Sequence, residues 1–422
     1  MKKLFPVVLI LFLMFSCGQE QKSVQVGDSD NGGLTLPEGF SALVVADETG
    51  RGRHITVNNN GDIYVSLSQH SENKGIVCLR DSSGDGKADI IQYTGQHTGT
   101  GIKLHKGYLY FGADTAVVRY PLTDGELVPG DNWQMIARGF PNERQHEAKP
   151  MAFDGKGNMY VNVGAPSNAC MEQMRTKGSP GMDPCPLLEY SGGTWKFKDD
   201  VLNQDQMVDG VRYVTGIRNG MANFWNTAVD ELYVVQHGRD QLDQFFPELY
   251  DSKDNAELPA EEFFLATEGS DFGWPYCYYD HLKEKKVLGP EYGGDGEIQE
   301  RCETKSDPIM AFPGHLAPND LLFYTGNMFP EKYKNGAFIA FHGSWNRAPE
   351  PQKGYFVAFV PFDGAIPSGE WEIFADGFAG TTDIASTRDA EYRPCGLSQG
   401  PDGALYVVDS NKGKVWKIMY SK

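Results

Sequence analysis

The sequence is short of positive charge and of the repetitive patterns that mark elongated or membrane proteins. It has 38 Lys and Arg residues against 57 Asp and Glu residues, so its net charge is −19. A nucleic acid would repel so acidic a chain, which excludes a nucleic-acid-binding protein on electrostatic grounds. Beyond residue 32 the chain has no heptad repeat, long charge run or low-complexity tract. These absences exclude collagen, coiled-coil and multi-span membrane proteins.

Cysteine is also scarce, and its spacing argues against two kinds of site. The seven cysteines form no CxxC pair and no CxxCH motif, and no histidines are spaced HxxxH. A zinc site and a covalently attached c-type haem therefore have no support. If the chain is exported, the six cysteines after Cys17 favour disulfides. Two pairings, each bracketing a loop rich in glycine and proline, are predicted: Cys170 with Cys185, and Cys277 with Cys302. Cys78 and Cys395 either pair across a closure or stay free.

The first residues have the layout of an export signal. Two lysines precede the apolar segment 4–15, which is shorter than the roughly 20 residues that a membrane span requires. A small residue then precedes Cys17, so residues 1–17 resemble a bacterial lipoprotein signal that is cleaved before Cys17 and lipidated on its thiol. An ordinary secretory signal with an incidental cysteine is the alternative. Segment 18–36 predicts a flexible tether. We expect an exported protein, lipid-anchored to a bacterial membrane on its periplasmic or cell-surface side.

What the sequence has in abundance is glycine, with 49 residues, and aromatic side chains, at 12%. With few helical runs, this composition is typical of an all-β chain, because tight turns favour glycine. A unit of two apolar strands joined by a Gly or Asn turn recurs at 54–66, 101–114, 150–164, 220–236, 320–343 and 396–410. Repeated units arranged radially are propeller blades. We predict a six-bladed β-propeller over 37–422, closed by segment 39–47. A β-sandwich is the alternative, but six similar units over this length are more than a usual sandwich contains.

Each unit has one aromatic residue in its second strand: Tyr64, Tyr110, Tyr160, Tyr233, Phe338 and Tyr406. The spacing between these residues is irregular, so the propeller must carry long insertions between strands. The longest are 165–215 and 239–318, which contain both predicted disulfides. Long ordered insertions are usually functional, although surface decoration is the alternative.

The innermost strand of each propeller blade begins near the central axis, so the residues around its start line one mouth of the channel. These residues are Arg53, His54, Thr98, Thr100, His146, Lys149, Arg218, Asn219, His315, Asn319 and Arg393. Gathered cations repel one another, so the pattern points to an anionic ligand held by charge-assisted hydrogen bonds. Taken singly, Arg218 and His146 are equally explained as residues that bond backbone carbonyls.

Several motifs at these positions resemble those of pyrroloquinoline quinone (PQQ)-dependent sugar dehydrogenases of the soluble glucose and sorbosone type. The motifs are HEAKPMAF (146–153), GIRN (216–219), FGWPYC (272–277), HLAPNDLLFYTGNMFP (315–330), FHGSWNRAP (341–349) and RPCGL (393–397). The resemblance spans roughly residues 37–420. It implies a six-bladed propeller with PQQ over the axis and Ca²⁺ against the quinone.

The resemblance also implies roles for single residues. His146 would be the general base, and Arg218 would stabilise charge developing on the reacting quinone oxygen. The residues that would hold the cofactor are Lys149, Arg218, Asn219, Arg347 and Arg393. Gly238 and Arg239 occupy the place of the family's calcium-binding Gly-Pro turn and would offer backbone carbonyls. The family's lysine in blade five is not obvious, and Arg347 or His342 would replace it.

The resemblance implies an enzyme that oxidises an aldose or a related sugar aldehyde or alcohol, and that passes electrons to an external cytochrome or quinone. Two alternatives are a non-catalytic propeller that binds carbohydrate or protein, and a calcium-dependent lactonase-type propeller. The lactonase would need acidic ligands along the axis, where the predicted residues are mainly basic. The segment DSSGDGKAD (81–89) is a further calcium candidate, or simply a hairpin turn.

Overall fold

The computed structural model describes Met1, residues 25–142 and residues 144–421. The predicted lipidation site Cys17, residues 2–16 of the predicted signal and residues 18–24 of the predicted tether lie outside these described residues. Within the described part of the chain, no helix combines the length and apolar character needed to cross a membrane.

The described chain forms six antiparallel sheets of four strands, which confirms the predicted six-bladed β-propeller. Blade 1 contains the strands Gly52–Val57, Ile63–Ser71, Lys74–Arg80 and Ile90–Thr94. Blade 2 contains Gly99–His105, Tyr108–Ala113, Ala116–Pro121 and Gln134–Arg138. Blade 3 contains Met151–Phe153, Asn158–Val163, Gly193–Lys198 and Val211–Thr215. Blade 4 contains Ala222–Asn226, Glu231–Val235, Glu261–Ala266 and Met310–Phe312. Blade 5 contains Pro318–Phe323, Ala337–Phe341, Phe356–Val360 and Glu372–Ala375. Blade 6 contains Pro394–Gln399, Leu405–Asp409, Val415–Tyr420 and Phe40–Ala46. Blade 2 has a fifth, parallel strand, Gln204–Asp205.

The ring is closed by pairing the two ends of the chain. Phe40–Ala46 lies antiparallel to Val415–Tyr420, with Phe40 opposite Tyr420 and Val44 opposite Trp416. The predicted closing strand is therefore present. It completes blade 6, so no blade is left with a missing outer strand.

The hydrophobic core is divided among the six interfaces between neighbouring blades. Each interface has its own cluster of buried side chains, such as Leu43, Ile55, Val65 and Val408 between blades 6 and 1. The six aromatic residues of the sequence repeat all lie in the second strands of their blades and are at most 6% exposed. The period-2 alternation of the strands explains this arrangement, because each strand buries one face against each neighbouring blade.

The insertions contain the few other elements. These are the helices Leu242–Phe245 and Ser252–Glu257, the 3₁₀ turns Asn31–Gly33, Pro186–Glu189, Pro290–Tyr292, Glu300–Thr304 and Glu331–Tyr333, and the hairpins Cys277–Asp280 with Lys285–Leu288 and Phe362–Asp363 with Ile366–Pro367. The insertions of blades 3 and 4 contain the disulfides Cys170–Cys185 and Cys277–Cys302. Cys78 and Cys395 are buried and free, which settles the choice that the sequence left open.

Part of the predicted tether is attached to the propeller. The carboxylate of Asp28 accepts from the backbone N–H of Val44 at 2.8 Å, and Asn31 accepts from that of Ala42 at 3.0 Å. The indole of Trp416 donates to the Gly32 carbonyl at 3.0 Å. Contacts with blade 6 therefore begin before residue 37, the predicted boundary of the domain.

Segment 81–89 connects the two outer strands of blade 1 and uses its carboxylates internally. Asp81 accepts from the backbone N–H groups of Gly84 and Gly86, and Asp89 accepts from those of two serines. These bonds are those of a tight turn and give no support to the calcium alternative.

Candidate active site

The inner strands of all six blades run in the same direction along the axis, so the channel has two different mouths. We call the end where these strands begin the N-terminal mouth and the end where they finish the C-terminal mouth. Most of the predicted site residues lie at the N-terminal mouth, because they immediately precede or begin inner strands. Two of them, His146 and His315, have positive φ angles of 58° and 63°. Such backbone strain in non-glycine residues is concentrated at functional sites.

Arg218 is the most extensively bonded cation at this mouth, with 3% of the residue exposed. Its Nη1 donates to the Gly238 carbonyl at 2.7 Å, and its Nη2 donates to Asp240 at 2.8 Å. Nε and Nη2 also donate to the backbone and side-chain oxygens of Asn168, at 3.2 and 3.0 Å. The guanidinium is thus held by protein acceptors, and its contact with a quinone oxygen stays a prediction.

Asp240 gathers several positive groups around one carboxylate. Besides Arg218, it accepts from Arg175 Nη2 at 3.1 Å, and His315 Nδ1 lies 4.0 Å away. Burial by itself would raise the pKa of the Asp240 carboxyl, but these charges lower the pKa below its usual value. Asp240 is therefore ionised and balances the charge of Arg218 at the mouth.

His146 has its tautomer fixed by one hydrogen bond. Its Nδ1 lies 2.5 Å from the Ala165 carbonyl, which can only accept, so Nδ1 carries the proton and Nε2 keeps a free lone pair. Burial, and then the charge of Arg218, lower the pKa of His146 well below its ordinary value. The imidazole is consequently neutral at pH 7 and can accept a proton through Nε2.

Lys149 lies next to two carboxylates on the blade 2 side of the mouth. The residue is 1% exposed, and its Nζ donates to the Glu147 carbonyl at 2.5 Å. Burial lowers the pKa of Lys149 to about 8, although the charges of Asp114 and Glu147 act in the opposite direction. This lysine is thus a buried cation that loses its charge at mildly alkaline pH.

The same mouth also contains Arg393, Arg53 and two further imidazoles. Arg393 Nε donates to the His342 carbonyl at 3.0 Å, whereas Arg53 makes only a 3.4 Å bond to Thr100 and donates to no other group among the described residues. Burial, followed by Arg218, lowers the pKa of His237 to about 4. Burial, followed by Arg393 and Arg53, lowers the pKa of His342 well below its ordinary value.

Asn219 completes the set and keeps one polar atom without a partner. Its side-chain oxygen is buried and accepts no hydrogen bond in the described structure. A Cβ on Gly164 would lie 3.1 Å from this oxygen, 2.6 Å from the His146 carbonyl and 2.7 Å from the His146 Cβ. Only glycine allows His146 and Asn219 to approach each other so closely here. The buried oxygen of Asn219 therefore keeps an unused acceptor site close to His146, whose Nε2 is also unpaired among the described residues.

Three of the predicted residues are used structurally. Arg347 donates to the Gly314 carbonyl at 2.9 Å and to Glu257 at 2.6 Å, so it stabilises the insertions of blades 4 and 5. His54 and His315 donate to backbone carbonyls, with His54 Nε2 2.7 Å from Asn319 O. For Arg347, the predicted contact with a cofactor stays a prediction that the structure does not support.

The turn 237–240 was predicted to present the carbonyls of Gly238 and Arg239 to calcium. The Gly238 carbonyl instead accepts from the Arg218 guanidinium. The guanidinium of Arg239 pairs with buried Glu291 at 2.6 Å, a contact that does not involve the Arg239 backbone carbonyl. A metal ion at the Gly238 carbonyl would lie against a positive charge, so this carbonyl as arranged does not fit calcium. For the Arg239 carbonyl the predicted contact stays a prediction. Within the described residues, no group of three or more His, Cys, Asp or Glu side chains could hold a metal.

Sequence reasoning missed His237, Asp240 and Asn168. His237 and Asp240 belong to the HGRD turn, for which the family resemblance predicts a role of the backbone carbonyls alone. The ionisable side chains of this turn are the signal that points to both residues. Asn168 lies in an insertion without periodicity and gave no signal.

A family model described as TrAA12-like matches residues 34–421. The chain belongs to this family. A PQQ-dependent pyranose dehydrogenase of Coprinopsis cinerea is 30% identical over 276 residues, which cover 57% of this chain and 36% of that protein, so the alignment includes little more than a third of that relative.

Two solved structures share the fold of this TrAA12-like chain. A Trichoderma reesei carbohydrate-active enzyme of family AA12 is 17% identical, with a TM-score of 0.76 over 92% of this chain and 98% of that one. The holo PQQ domain of the Coprinopsis cinerea pyranose dehydrogenase is 16% identical, with a TM-score of 0.72 over 92% and 97%. The resemblance to PQQ-dependent sugar dehydrogenases is thereby confirmed.

Proposed function

We propose that this protein is a quinoprotein oxidoreductase that oxidises a sugar with bound PQQ and delivers the electrons to an external acceptor. The observation that carries the proposal is the neutral His146, with Nε2 free, among the cations of the N-terminal mouth. The family relationship and the pyranose dehydrogenase relative support it.

The residues present fit PQQ, a planar quinone that bears carboxylates. Arg53, Lys149 and Arg393 supply positive charge at the mouth, and Asn219 has a buried oxygen without a partner. When bound, PQQ would supply the two-electron acceptor for hydride from the sugar. The protein's own contribution is to hold the anionic cofactor by charge-assisted hydrogen bonds.

His146 would accept the proton of the sugar hydroxyl through Nε2. The bond from Nδ1 to the Ala165 carbonyl orients the ring, and Arg218 opposes protonation before the substrate arrives. Asp240 and Asn168 fix Arg218 behind this base. The result is a base that is unprotonated at neutral pH and poised in one orientation.

Calcium is the less supported part of the predicted cofactor set, and no step is derived through it. The substrate is proposed to be an aldose or related sugar aldehyde or alcohol, with pyranoses as the first class to examine because of the Coprinopsis cinerea relative.

The test is a titration of the purified full chain with PQQ, followed by protein fluorescence, in parallel samples with Ca²⁺ and with EDTA. Dye reduction is then measured across a panel of pyranoses and other aldoses. Saturable binding with turnover supports the proposal, and equal binding in EDTA shows that calcium is dispensable. Absence of PQQ binding in both samples rejects the enzyme and favours a carbohydrate- or protein-binding propeller.

We also propose that the protein is exported and anchored by a lipid on Cys17. Labelling of cells with a radioactive fatty acid should mark the wild-type chain and leave Cys17→Ser unlabelled. Label on the Cys17→Ser variant, or none on the wild type, would contradict the anchor.

A further inference from the structure

We propose that Asn168 is the positioning residue for Arg218 and Asp240 at the N-terminal mouth. Asn168 lies in the insertion of blade 3, outside the strands that form the propeller. Its kinetic consequence rests on the proposed function, whereas its structural consequence does not.

Asn168 directs all of its side-chain bonds at the same two partners. The residue has 0% exposure, and its Oδ1 accepts from Arg218 Nη2 at 3.0 Å and from the Asp240 backbone N–H at 2.8 Å. Its Nδ2 donates to the Asp240 carbonyl at 2.9 Å. One planar amide therefore fixes the distance and the angle between the guanidinium and the turn that contains its carboxylate partner.

The backbone of Asn168 adds to the same arrangement. Its carbonyl accepts from Arg218 Nε at 3.2 Å and from the indole of Trp274 at 3.0 Å. Arg175, from the same insertion, supplies a second cation to Asp240. The insertion of blade 3 thus brings both an amide and a charge to the mouth.

Both disulfide-bearing insertions hold Asn168 in place. Ser167 accepts from the backbone N–H of Cys170, the first cysteine of one disulfide, at 3.0 Å. The N–H of its partner, Cys185, donates to the hydroxyl of Tyr276 at 2.8 Å. Tyr276 precedes Cys277, which is bonded to Cys302 in the other insertion. Asn168 lies where the two cross-linked loops meet.

A simple packing role does not account for this geometry. A buried amide costs free energy unless its groups are bonded, and bonds to charged partners are the stronger ones. An apolar residue of similar size would fill the space but would leave the Asp240 backbone N–H and one N–H of Arg218 without acceptors. We therefore expect the function of the mouth, rather than folding alone, to depend on the amide.

The test compares Asn168→Ala and Asn168→Asp with a matched control, Asn226→Ala. Asn226 is also buried, at 3% exposure, but its side chain accepts from Ala228 in a turn of blade 4 at the other end of an inner strand. The readouts are the PQQ dissociation constant, kcat and KM separately, the unfolding midpoint, and a crystal structure of each cofactor-free variant.

Asn168→Ala should weaken PQQ binding or lower kcat about tenfold or more, whereas Asn226→Ala should change neither beyond twofold. Asn168→Asp keeps both acceptor bonds but replaces the Nδ2 donor with an oxygen that faces the Asp240 carbonyl, so it should recover only part of the loss. The crystal structure should show Arg218 displaced from Asp240 only in Asn168→Ala. If Asn168→Ala does not fold, Asn168→Ser replaces it, since serine cannot span the same two acceptor bonds.

Kinetics equal to those of Asn226→Ala, with Arg218 still bonded to Gly238 and Asp240, would overturn the inference. If the wild-type chain neither binds PQQ nor oxidises sugars, the proposed function fails instead. The crystal structures of the variants then still decide whether Asn168 positions Arg218.

Discussion

The two mouths of the channel are built from the same six inner strands but differ in how their charges are held. At the N-terminal mouth, Arg218 and Lys149 are buried and bonded to protein acceptors. The C-terminal mouth opens into a cavity of about 470 Å³ that is lined by the ends of inner strands. There Lys103 lies 6.0 Å from the centre of the Phe224 ring and pairs with no carboxylate among the described residues.

The difference comes from the insertions. Asn168, Asp240 and Trp274 all reach the N-terminal mouth from segments outside the blades. Asn168 and Asp240 bond Arg218 directly, and Trp274 bonds the Asn168 carbonyl, so together they restrict Arg218 to a single orientation. No comparable insertion lines the cavity at the C-terminal mouth within the described residues. The propeller itself thus has two similar openings, and the insertions at one of them add the side chains that distinguish the candidate site.

The largest difference in kcat should be between variants that remove a histidine from one mouth or from the other. His146→Ala removes the proposed base and should lower kcat by about 10²–10⁴-fold, measured by dye reduction with a saturating sugar. The control is His105→Ala at the C-terminal mouth, where the imidazole bonds Asp199 at 2.7 Å and stacks on Phe153. Equal losses in the two variants would show that stability, and not proton transfer, accounts for the effect.

A backbone contact should give the next largest effect. Gly164→Ala places a methyl group 2.6 Å from the His146 carbonyl, so the base must shift, and we expect kcat to fall about 10²-fold. Gly130→Ala adds its methyl group where the nearest atom lies 4.0 Å away and should be silent in the same assay. An unchanged kcat in Gly164→Ala would mean that the placement of His146 is not critical.

Substitution of a lysine should change the dissociation constant of PQQ at the N-terminal mouth but not at the C-terminal mouth. Lys149→Met removes a buried cation and should weaken PQQ binding about tenfold, because one charge-assisted bond is lost. Lys103→Met should leave the dissociation constant unchanged. The opposite ranking of the two variants in a fluorescence titration would move the anion site to the C-terminal mouth.

The smallest effect is a pH dependence of the same binding. The pKa of Lys149 is lowered to about 8, so its charge is present below that pH and lost above it. The affinity for PQQ should therefore decrease as the pH rises from 7 to 9, by no more than the factor found for Lys149→Met. In Lys149→Met the part of this loss of affinity that comes from Lys149 should be absent. If the variant loses affinity with pH just as the wild type does, another group is responsible for the titration.

The sequence was sufficient for the architecture because the blades repeat. Tyr64 and Tyr406, far apart in the chain, have the same position in their blades, and such a pattern predicts strands, their number and the closing strand. The strand-adjacent positions of His146 and Arg218 follow from the same repeat. The partners of Arg218 do not, because Asn168 lies 50 residues away in an aperiodic insertion. Arg347 shows the converse limit, since a motif match does not reveal nearby acceptors such as Glu257, and its contact with a cofactor stays a prediction.

The pairing of Phe40–Ala46 with Val415–Tyr420 also fixes when the molecule can finish folding. During synthesis Phe40–Ala46 must wait for Val415–Tyr420, so the ring stays incomplete until that distant strand has been made. Contacts of such long sequence separation form slowly. The pairing of these two strands is therefore the step that closes the propeller.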